Sequence, residues 1–222
     1  MVNISVSVLI PVLNPDNVLE QTLDAIRGPM VTEIILVDGG SLSPPIIDCP
    51  LVRIVVAPRG RGQQLAAGVA VAREAWLLML HADTVLQPGW DQAVCRHIAS
   101  GNGRAGYFKF ALDSSRIEAR RIERWVAWRC RVLCLPYGDQ GLLIHRDLLA
   151  AIGGMPSIPL MEDVEMARRL GRSRITAMEA VATTSAAKWE RDGWLYRSAR
   201  NLFCLALYFL RVPPGWILRV YK

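Results

Sequence analysis

Polar side chains that could bind or react with a ligand follow apolar segments at three points in the first half of the chain. The segment WLLMLHADTVL, residues 76–86, runs from apolar residues straight into His81 and Asp83. Asp38 follows EIILV, and Asn14 closes the segment that begins ISVSVLIPV. Carboxylates bind hard cations and accept protons, and an imidazole binds metals or bonds to phosphate. Three polar segment ends of this kind are typical of a ligand site.

The order of segments predicts an α/β fold with a mostly parallel sheet. ISVSVLIPV, EIILVDGG, LVRIVVAP and WLLML are apolar and rich in β-branched residues, as are strands that are covered on both faces. Helical patterns separate these segments, and the glycine-rich stretch RGRG precedes one of them. Strands that alternate with helices form parallel sheets through right-handed crossovers. Ligands bind such sheets beyond the carboxyl ends of the strands, where we expect the site.

The second half of the chain predicts further strands and helices. GYFKFALD and RITAMEAVATTS are typical of strands, and MEDVEMARRL is typical of a helix that begins just after Leu160. Residues 114–133 predict a long helix whose arginines point outward. Its inward residues would be Ile117, Trp125, Val126 and Leu133.

Composition limits the function classes. The chain has 222 residues, 52% of them hydrophobic, which suffices for one large domain or a domain with a small annex. Five cysteines without CxxC spacing and an N-terminus without a basic signal-peptide region predict a cytoplasmic protein. A net charge of +6 favours anionic partners, but no nucleic-acid recognition motif accompanies it, so we expect no nucleic-acid partner.

Five segments in order resemble the family 2 glycosyltransferases with the GT-A fold. They are VSVLIPVLN, EIILVDGGS, RGRGQQLAAGVAVAREAWLLMLHADT, GDQGLLIHRDLLAAIGGMP and LMEDVEMARRL. The resemblance is to a small bacterial branch that has HADT where most relatives have a DxD motif. It implies a GT-A-type, Rossmann-like, mostly parallel sheet flanked by helices over residues 1–190, with nucleotide-sugar binding in 1–100 and acceptor binding and catalysis in 101–190. Residues 191–222 would form an amphipathic helical segment.

The resemblance also implies a donor site for a UDP- or GDP-linked sugar. The two glycines behind Asp38 let a ligand approach the backbone closely, which suits a nucleoside. Asp83 would help to hold Mn²⁺ or Mg²⁺ on the diphosphate. The residues that would contact the nucleoside and the diphosphate are Pro11, Asn14, Asp38, Gly39, Arg61, Gln64 and His81.

His81 departs from the family pattern, which has an acid at this position. An imidazole is a poor ligand for Mg²⁺ and an acceptable one for Mn²⁺. His81 could instead bond to a phosphate oxygen, orient Asp83, or have a purely structural part.

The acids in MEDVE are the candidates for the general base. The resemblance implies that Asp163 deprotonates the acceptor hydroxyl, with Glu162 as the alternative. The helix dipole alone also favours acids in a first turn.

These residues predict an enzyme, a glycosyltransferase of hexosyl or related groups. It would transfer a sugar from a nucleotide-sugar donor to an unknown hydroxyl acceptor, with a divalent metal and with inversion at the anomeric carbon. One alternative is a nucleotidyltransferase that consumes a nucleoside triphosphate. The other is a module that binds nucleotide sugars or a membrane surface without catalysis.

The C-terminal segment, residues 188–222, leaves two interpretations open. Its apolar run LFCLALYFL has nine residues, whereas a helix needs about 20 to cross a bilayer. Flanking Trp, Tyr and Arg residues suit a helix that lies on anionic lipid, which would place the protein at the inner face of the membrane and favour a lipid-linked acceptor. A core helix or a homodimer face is the alternative.

Overall fold

The computed structural model describes residues 4–15 and 17–221, so that Asp16 of the NPD turn and Lys222 lie outside the described residues. Its strands are β1 (Val6–Val12), β2 (Val31–Asp38), β3 (Val52–Val56), β4 (Trp76–Met79), β5 (Thr84–Leu86), β6 (Ala105–Leu112), β7 (Leu142–His145) and β8 (Ile175–Thr184). Its helices are α1 (Val18–Ile26), α2 (Arg61–Val71), α3 (Trp90–Ala99), α4 (Ile117–Leu133), α5 (Arg146–Ala151), α6 (Glu162–Leu170), α7 (Ala187–Asp192), α8 (Trp194–Phe209) and α9 (Pro214–Tyr221). Short 3₁₀ turns lie at Gly138–Gln140 and Arg172–Arg174.

The strands form one sheet in the order β3-β2-β1-β4-β7-β6-β8-β5. The four strands predicted in the first half, β1 to β4, pair in parallel, and every residue of β1 and β4 is buried. Helices on both faces explain this burial, because a strand covered on both faces has no solvent side for polar residues. The parallel α/β half predicted from the sequence is confirmed.

The other half of the sheet mixes strand directions. β7 is antiparallel to β4 and β6, β8 is parallel to β6, and β5 pairs antiparallel with β8 at the edge. The three-residue β5, which directly follows Asp83, has no counterpart in the sequence analysis. A strand this short has too few residues for a periodic pattern to show.

Gln64 joins the first turn of α2 to the carboxyl ends of the two central strands. Its Nε2 donates to the carbonyl oxygens of Val12, at 2.8 Å, and Val37, at 2.6 Å. A Cβ atom at Gly39 would lie 3.0 Å from the Gln64 side chain, so glycine is the residue that gives this amide its space. The buried amide thereby holds β1, β2 and α2 in register around the predicted site.

The predicted orientation of α4 is wrong for most of its residues. Of the four side chains expected inward, only Val126 is buried, whereas Ile117, Trp125 and Leu133 are exposed. The helix has two apolar faces, and the one with the small residues Ala119 and Cys130 packs inward. Small side chains allow the helix backbone to approach the sheet closely, which stacked tryptophans would prevent.

One arginine of α4 also points inward, against expectation. Arg129 is buried, donates from Nε to the carbonyl oxygen of Leu135 at 2.8 Å, and places its guanidinium 3.4 Å from the ring centroid of Tyr137. The backbone turn at Leu135 supplies the acceptor that a buried guanidinium requires. Arg129 therefore holds the segment that leads into the Gly138–Gln140 turn.

The C-terminal helices α8 and α9 cover the start of α6. Cys204, Leu205 and Ile217 form a separate apolar cluster with residues that include Leu160 and Val164. Within the described part of the chain, no helix is both long enough and apolar enough to cross a membrane. The division of the chain at residue 190 stays a prediction.

We expect Gly62→Ala to lower the free energy of unfolding by about 1–3 kcal/mol, as overpacking does. An added Cβ atom would lie 2.5 Å from the carbonyl oxygen of Ile158 and would also overlap the carbonyl of Pro156, and backbone atoms cannot rotate aside. Urea denaturation measures the change. Gly28→Ala is the matched control because no atom lies within 4 Å of its Cβ position. Equal stability of the two variants would contradict the close packing of α2.

Candidate active site

A closed hydrogen-bond network shapes the loops that follow β1 and β2. Asp38 is 2% exposed, and its carboxylate accepts from the backbone nitrogen of Ser41, at 3.1 Å, and from the Ser41 hydroxyl. Asn14, at a φ of 47°, donates from its backbone nitrogen to the Ser41 hydroxyl at 2.7 Å and accepts from Leu42 at its side chain. Asn tolerates this left-handed conformation better than most residues. The two strand ends are thereby locked side by side.

Most residues of the predicted donor site line one open cleft at the carboxyl edge of the sheet. They are Pro11, Asn14, Arg61, Gln64, His81 and Asp83. Asp38 and Gly39 lie beneath this cleft rather than on its wall, where they support Asn14 and Gln64. Leu218 and Tyr221 of α9 line the opposite side. The C-terminal segment therefore forms part of the cleft, which the sequence analysis did not predict.

Asp83 pairs with a lysine at the mouth of the cleft. The Nζ of Lys188, in the first turn of α7, lies 2.6 Å from Oδ2 of Asp83. Burial alone would raise the pKa of Asp83, but His81 and Lys188 outweigh it and lower this pKa below its usual value. Asp83 is therefore ionised at neutral pH. The sequence analysis missed Lys188, since a lone lysine after a strand has no distinguishing pattern.

His81 lies deeper in the cleft, between Asp83 and Arg61. The Nη1 of Arg61 is 3.3 Å from Nε2 of His81, and because a guanidinium only donates, Nε2 acts as the acceptor here. Burial, and then the positive charge of Arg61, lower the pKa of His81 to about 4. The imidazole is thus neutral at physiological pH, the form that can ligate a metal ion.

Arg61, which is half-buried, also forms an ion pair with the buried Glu162 at the start of α6. The Nε of Arg61 lies 3.2 Å from Oε1 of Glu162, which is 1% exposed, and Glu162 raises the pKa of Arg61 above its usual value. Burial raises the pKa of Glu162 to about 7 despite the nearby guanidinium, and Asp163 adds to the rise. The predicted catalytic acid Glu162 is therefore engaged with Arg61 on its inner side.

Asp163, the other predicted catalytic acid, faces the cleft and is held by two backbone donors. Its Oδ2 accepts from the nitrogen of Gly138 at 2.9 Å, and its Oδ1 accepts from Val164 at 2.7 Å. It shares a pocket with Arg61, His81, Asp83 and Lys188. Two donors fix this carboxylate beside the predicted donor site, and a Cβ atom at Gly138 would collide with His81.

Asp139 is a further acid at the site to which the sequence analysis assigned no part. Its Oδ1 is buried without a hydrogen-bond partner among the described residues, and the residue lines the pocket of Asp163. Burial raises the pKa of Asp139 to about 6. Its segment, GDQG, belongs to the motifs quoted above, but a single acid in a glycine-containing loop is ordinarily a turn residue.

No three His, Cys, Asp or Glu side chains within residues 4–15 and 17–221 are arranged to hold a metal ion by themselves. Metals on nucleotides need fewer protein ligands, since the phosphates provide several of the oxygens. The ionised Asp83 would supply one oxygen, and the neutral His81 would supply Nε2 once a metal replaces the N–H of Arg61 there, a donor set that fits Mn²⁺ better than Mg²⁺. These two residues fit a metal that arrives with a diphosphate.

We expect Asp139→Asn to stabilise the protein at pH 8 and to have no effect at pH 4. The folded pKa of about 6 lies above the ordinary value of 3.8, so the folded state binds the proton more tightly and its stability falls as the pH rises through this window. Removing the charge should raise the free energy of unfolding at pH 8 by about 1–3 kcal/mol. Urea denaturation at both pH values measures this. An equal effect at both would contradict a buried, charge-sensitive Asp139.

Similar folds occur in several solved structures. GalNAc-T7, determined with UDP, GalNAc and Mn²⁺, superposes with a TM-score of 0.62 at 12% identity over 82% of this chain and 43% of that protein. Residues 1–349 of S. aureus TarS give a TM-score of 0.60 at 12% identity over 98% of this chain and 69% of TarS. Glucosyl-3-phosphoglycerate synthase from Mycobacterium tuberculosis, with Mn²⁺, UDP and glucosyl-3-phosphoglycerate, gives 0.53 at 20% identity over 82% and 70%. The predicted GT-A-type architecture is confirmed, and the chain spans less than half of GalNAc-T7.

The sequence itself also matches a family. Compared with curated proteins, it matches none at a significant level. The sequence model described as Glycosyl transferase family 2 matches residues 7–125, just over half of the 222 residues. This range contains β2 to β6 and all of β1 except Val6, together with Asp38, Arg61, His81 and Asp83. The chain therefore belongs to glycosyl transferase family 2.

Proposed function

We propose that this protein transfers a glycosyl group from a nucleoside-diphosphate sugar to a hydroxyl acceptor. The observation that carries the proposal is the convergence of Arg61, Lys188, Asp83 and His81 on one cleft, beside the fixed carboxylate of Asp163. Cationic groups suit a diphosphate leaving group, whose negative charge grows as the bond to the sugar breaks. The neighbours in fold that were determined with UDP, and TarS with UDP-GlcNAc, support a UDP-linked donor.

A divalent cation is part of the proposal. Asp83 and His81 would hold it, and Lys188, now paired with Asp83, would become available to the phosphates. A cation held there would supply positive charge to the departing diphosphate. The Mn²⁺ in the structures of GalNAc-T7 and of the mycobacterial synthase supports this assignment.

Asp163 is the proposed general base. It takes the proton of the acceptor hydroxyl while the acceptor oxygen bonds to the anomeric carbon and the bond to the diphosphate breaks, so that the configuration inverts. Backbone donors at Gly138 and Val164 hold its carboxylate in place. Glu162 suits this role less, because its Oε1 pairs with Arg61 and its Oε2 is buried without a partner. Its part is to position Arg61.

The acceptor would enter beside Asp163. An apolar cavity lined by Leu65, Met79, Tyr137 and Met166 adjoins Asp163 and His81. Apolar walls exclude water, which would otherwise compete with the acceptor for the sugar. This lining suits an acceptor that presents apolar surface next to its hydroxyl, as lipid-linked acceptors do.

We expect UDP to raise the melting temperature of the protein, and Mn²⁺ to increase this shift. A ligand that binds only the folded state stabilises it as its concentration passes Kd. Asp83→Ala should abolish the Mn²⁺-dependent part of the shift, whereas the exposed Asp48→Ala is the matched control and should retain it. Thermal-shift titrations with UDP and GDP measure both effects. Stabilisation by UTP alone, with release of pyrophosphate in the presence of a sugar phosphate, would instead identify a nucleotidyltransferase.

We expect Asp163→Asn to lower kcat by about 10²- to 10⁴-fold, because the hydroxyl then loses its proton acceptor. The assay is UDP release from UDP-sugars with candidate acceptors, and the UDP-induced thermal shift should be unchanged. Asp147→Asn, at an exposed acid, is the control. Glu162→Gln should weaken donor binding through Arg61 more than it lowers kcat. A product with retained anomeric configuration by NMR would contradict the proposed single displacement.

A further inference from the structure

Helix α8 has apolar residues on its exposed face and an arginine on its buried face. A helix that covers the core of a soluble domain ordinarily has the opposite arrangement. The buried residues of α8 include Arg197, which is 7% exposed, along with Cys204 and Leu205. Its outward-facing large residues are all apolar: Leu195, Tyr196, Leu202, Phe203 and Phe209, with Leu210 directly after its last residue. A helix on the surface of a soluble domain ordinarily presents charged residues to water.

The outward residues form one continuous stripe along the helix. They come in adjacent pairs seven residues apart, a spacing that returns a helix to nearly the same face. The positions between the pairs on this face are Ala199 and Ala206, which are also exposed. Over the 16 residues of α8 the stripe runs for about 24 Å. Single exposed leucines are ordinary, but a contiguous apolar patch marks a surface that meets a partner.

Two polar residues of α8, Arg197 and Asn201, face the pocket of the candidate active site. Arg197 bonds to Asp192 at 2.8 Å and lies over the ring of Trp189, and with Asn201 it lines the pocket that also contains Asp163 and Lys188. One face of α8 thus closes the cleft, while the other has no contact in the described structure that would cover Leu195, which is 87% exposed, or Leu210, which is 75% exposed.

The surroundings of the stripe are basic. Residues 193–221 contain no acidic residue, and two of their four arginines, Arg211 and Arg219, are exposed, whereas Arg197 and Arg200 pair with Asp192. On α9, the exposed Trp216 lies 5.2 Å beneath the guanidinium of Arg219. Beyond Phe209, a groove shared with Leu133 of α4 is bordered by Arg168 and Arg172. Apolar side chains with Trp and Arg at their edges match the chemistry of an anionic bilayer surface.

We propose that the outward face of α8 binds the surface of an anionic lipid bilayer, with the helix lying in the plane of the membrane. Among the described residues no helix can span a bilayer, which agrees with a surface position. A second copy of the chain suits the face less well. In a symmetric dimer the same patch meets itself, so the exposed Arg211 and Arg219 would approach their counterparts, and residues 193–221 contain no acid to pair with them.

Co-sedimentation of the full chain with vesicles tests the proposal without any enzymatic assay. The protein should bind vesicles that contain phosphatidylglycerol, bind phosphatidylcholine vesicles weakly, and lose affinity as salt is added. The double variant Leu202→Ser, Phe203→Ser should bind the anionic vesicles at least about tenfold more weakly, because two apolar anchors are lost. Leu42→Ser, Ile46→Ser is the matched control, since both side chains are more than 90% exposed in a loop far from α8 in sequence.

Circular dichroism and melting temperature establish that both double variants fold. Binding that survives in the α8 variant, or that is lost equally in the control, would overturn the proposal. So would a wild-type protein that ignores anionic vesicles and elutes as a dimer that the α8 substitutions dissociate, which would assign the face to a second copy. Because no substrate is used, these outcomes are independent of whether sugar transfer is detected.

Discussion

The ion pair between Arg61 and the buried Glu162 is the interaction on which the rest of the site depends. It ties the first residue of α2, in the parallel half of the sheet, to the first residue of α6, which comes a hundred residues later. Through Nη1, Arg61 also reaches His81 at the end of β4. Removing Arg61 would leave the buried carboxylate of Glu162 without its partner, which is unfavourable for a charge with so little access to water. The donor side and the catalytic side of the cleft are therefore joined through one guanidinium.

The environment of each titratable group near this guanidinium determines its pKa and therefore its charge. His81 stays neutral because it is desolvated next to Arg61, and Asp83, whose pKa is lowered, stays ionised with the ammonium of Lys188 2.6 Å from its carboxylate. Desolvation raises the pKa of Asp139 to about 6 and that of Glu162 to about 7. The cleft thus contains the ionised Asp83 and the cations Arg61 and Lys188. The nearby Asp139 and Glu162 bind protons more tightly than Asp83 does. Such a separation of neighbouring acids by environment is typical of sites that do acid–base chemistry.

The two helices α4 and α8 show why burial patterns alone mislead near a functional surface. Each of these two helices has two faces that could pack against the rest of the protein. In both helices the face that packs inward includes an arginine and at least one small residue. Tyr137 and Gln140 contact the inward guanidinium of Arg129, and Asp192 pairs with that of Arg197. A hydrophobic pattern indicates only which side chains avoid water. It cannot show that a buried arginine has a hydrogen-bond partner far away in sequence.

The sequence by itself determined the parallel strands, the polar residues at their carboxyl ends and the family, because the apolar runs and their polar ends are local and in order. It also predicts that Asn14, Arg61, His81 and Asp83 lie close together, because parallel strands end at the same edge of the sheet, and the four residues line one cleft. Only the tertiary structure decided that Lys188 faces Asp83, 105 residues away, and that Asp139 lies buried beside Asp163. Pairs so distant leave no pattern in a single sequence. The tertiary structure also determined which face of α8 meets solvent, because Arg197 and Asn201 face the cleft.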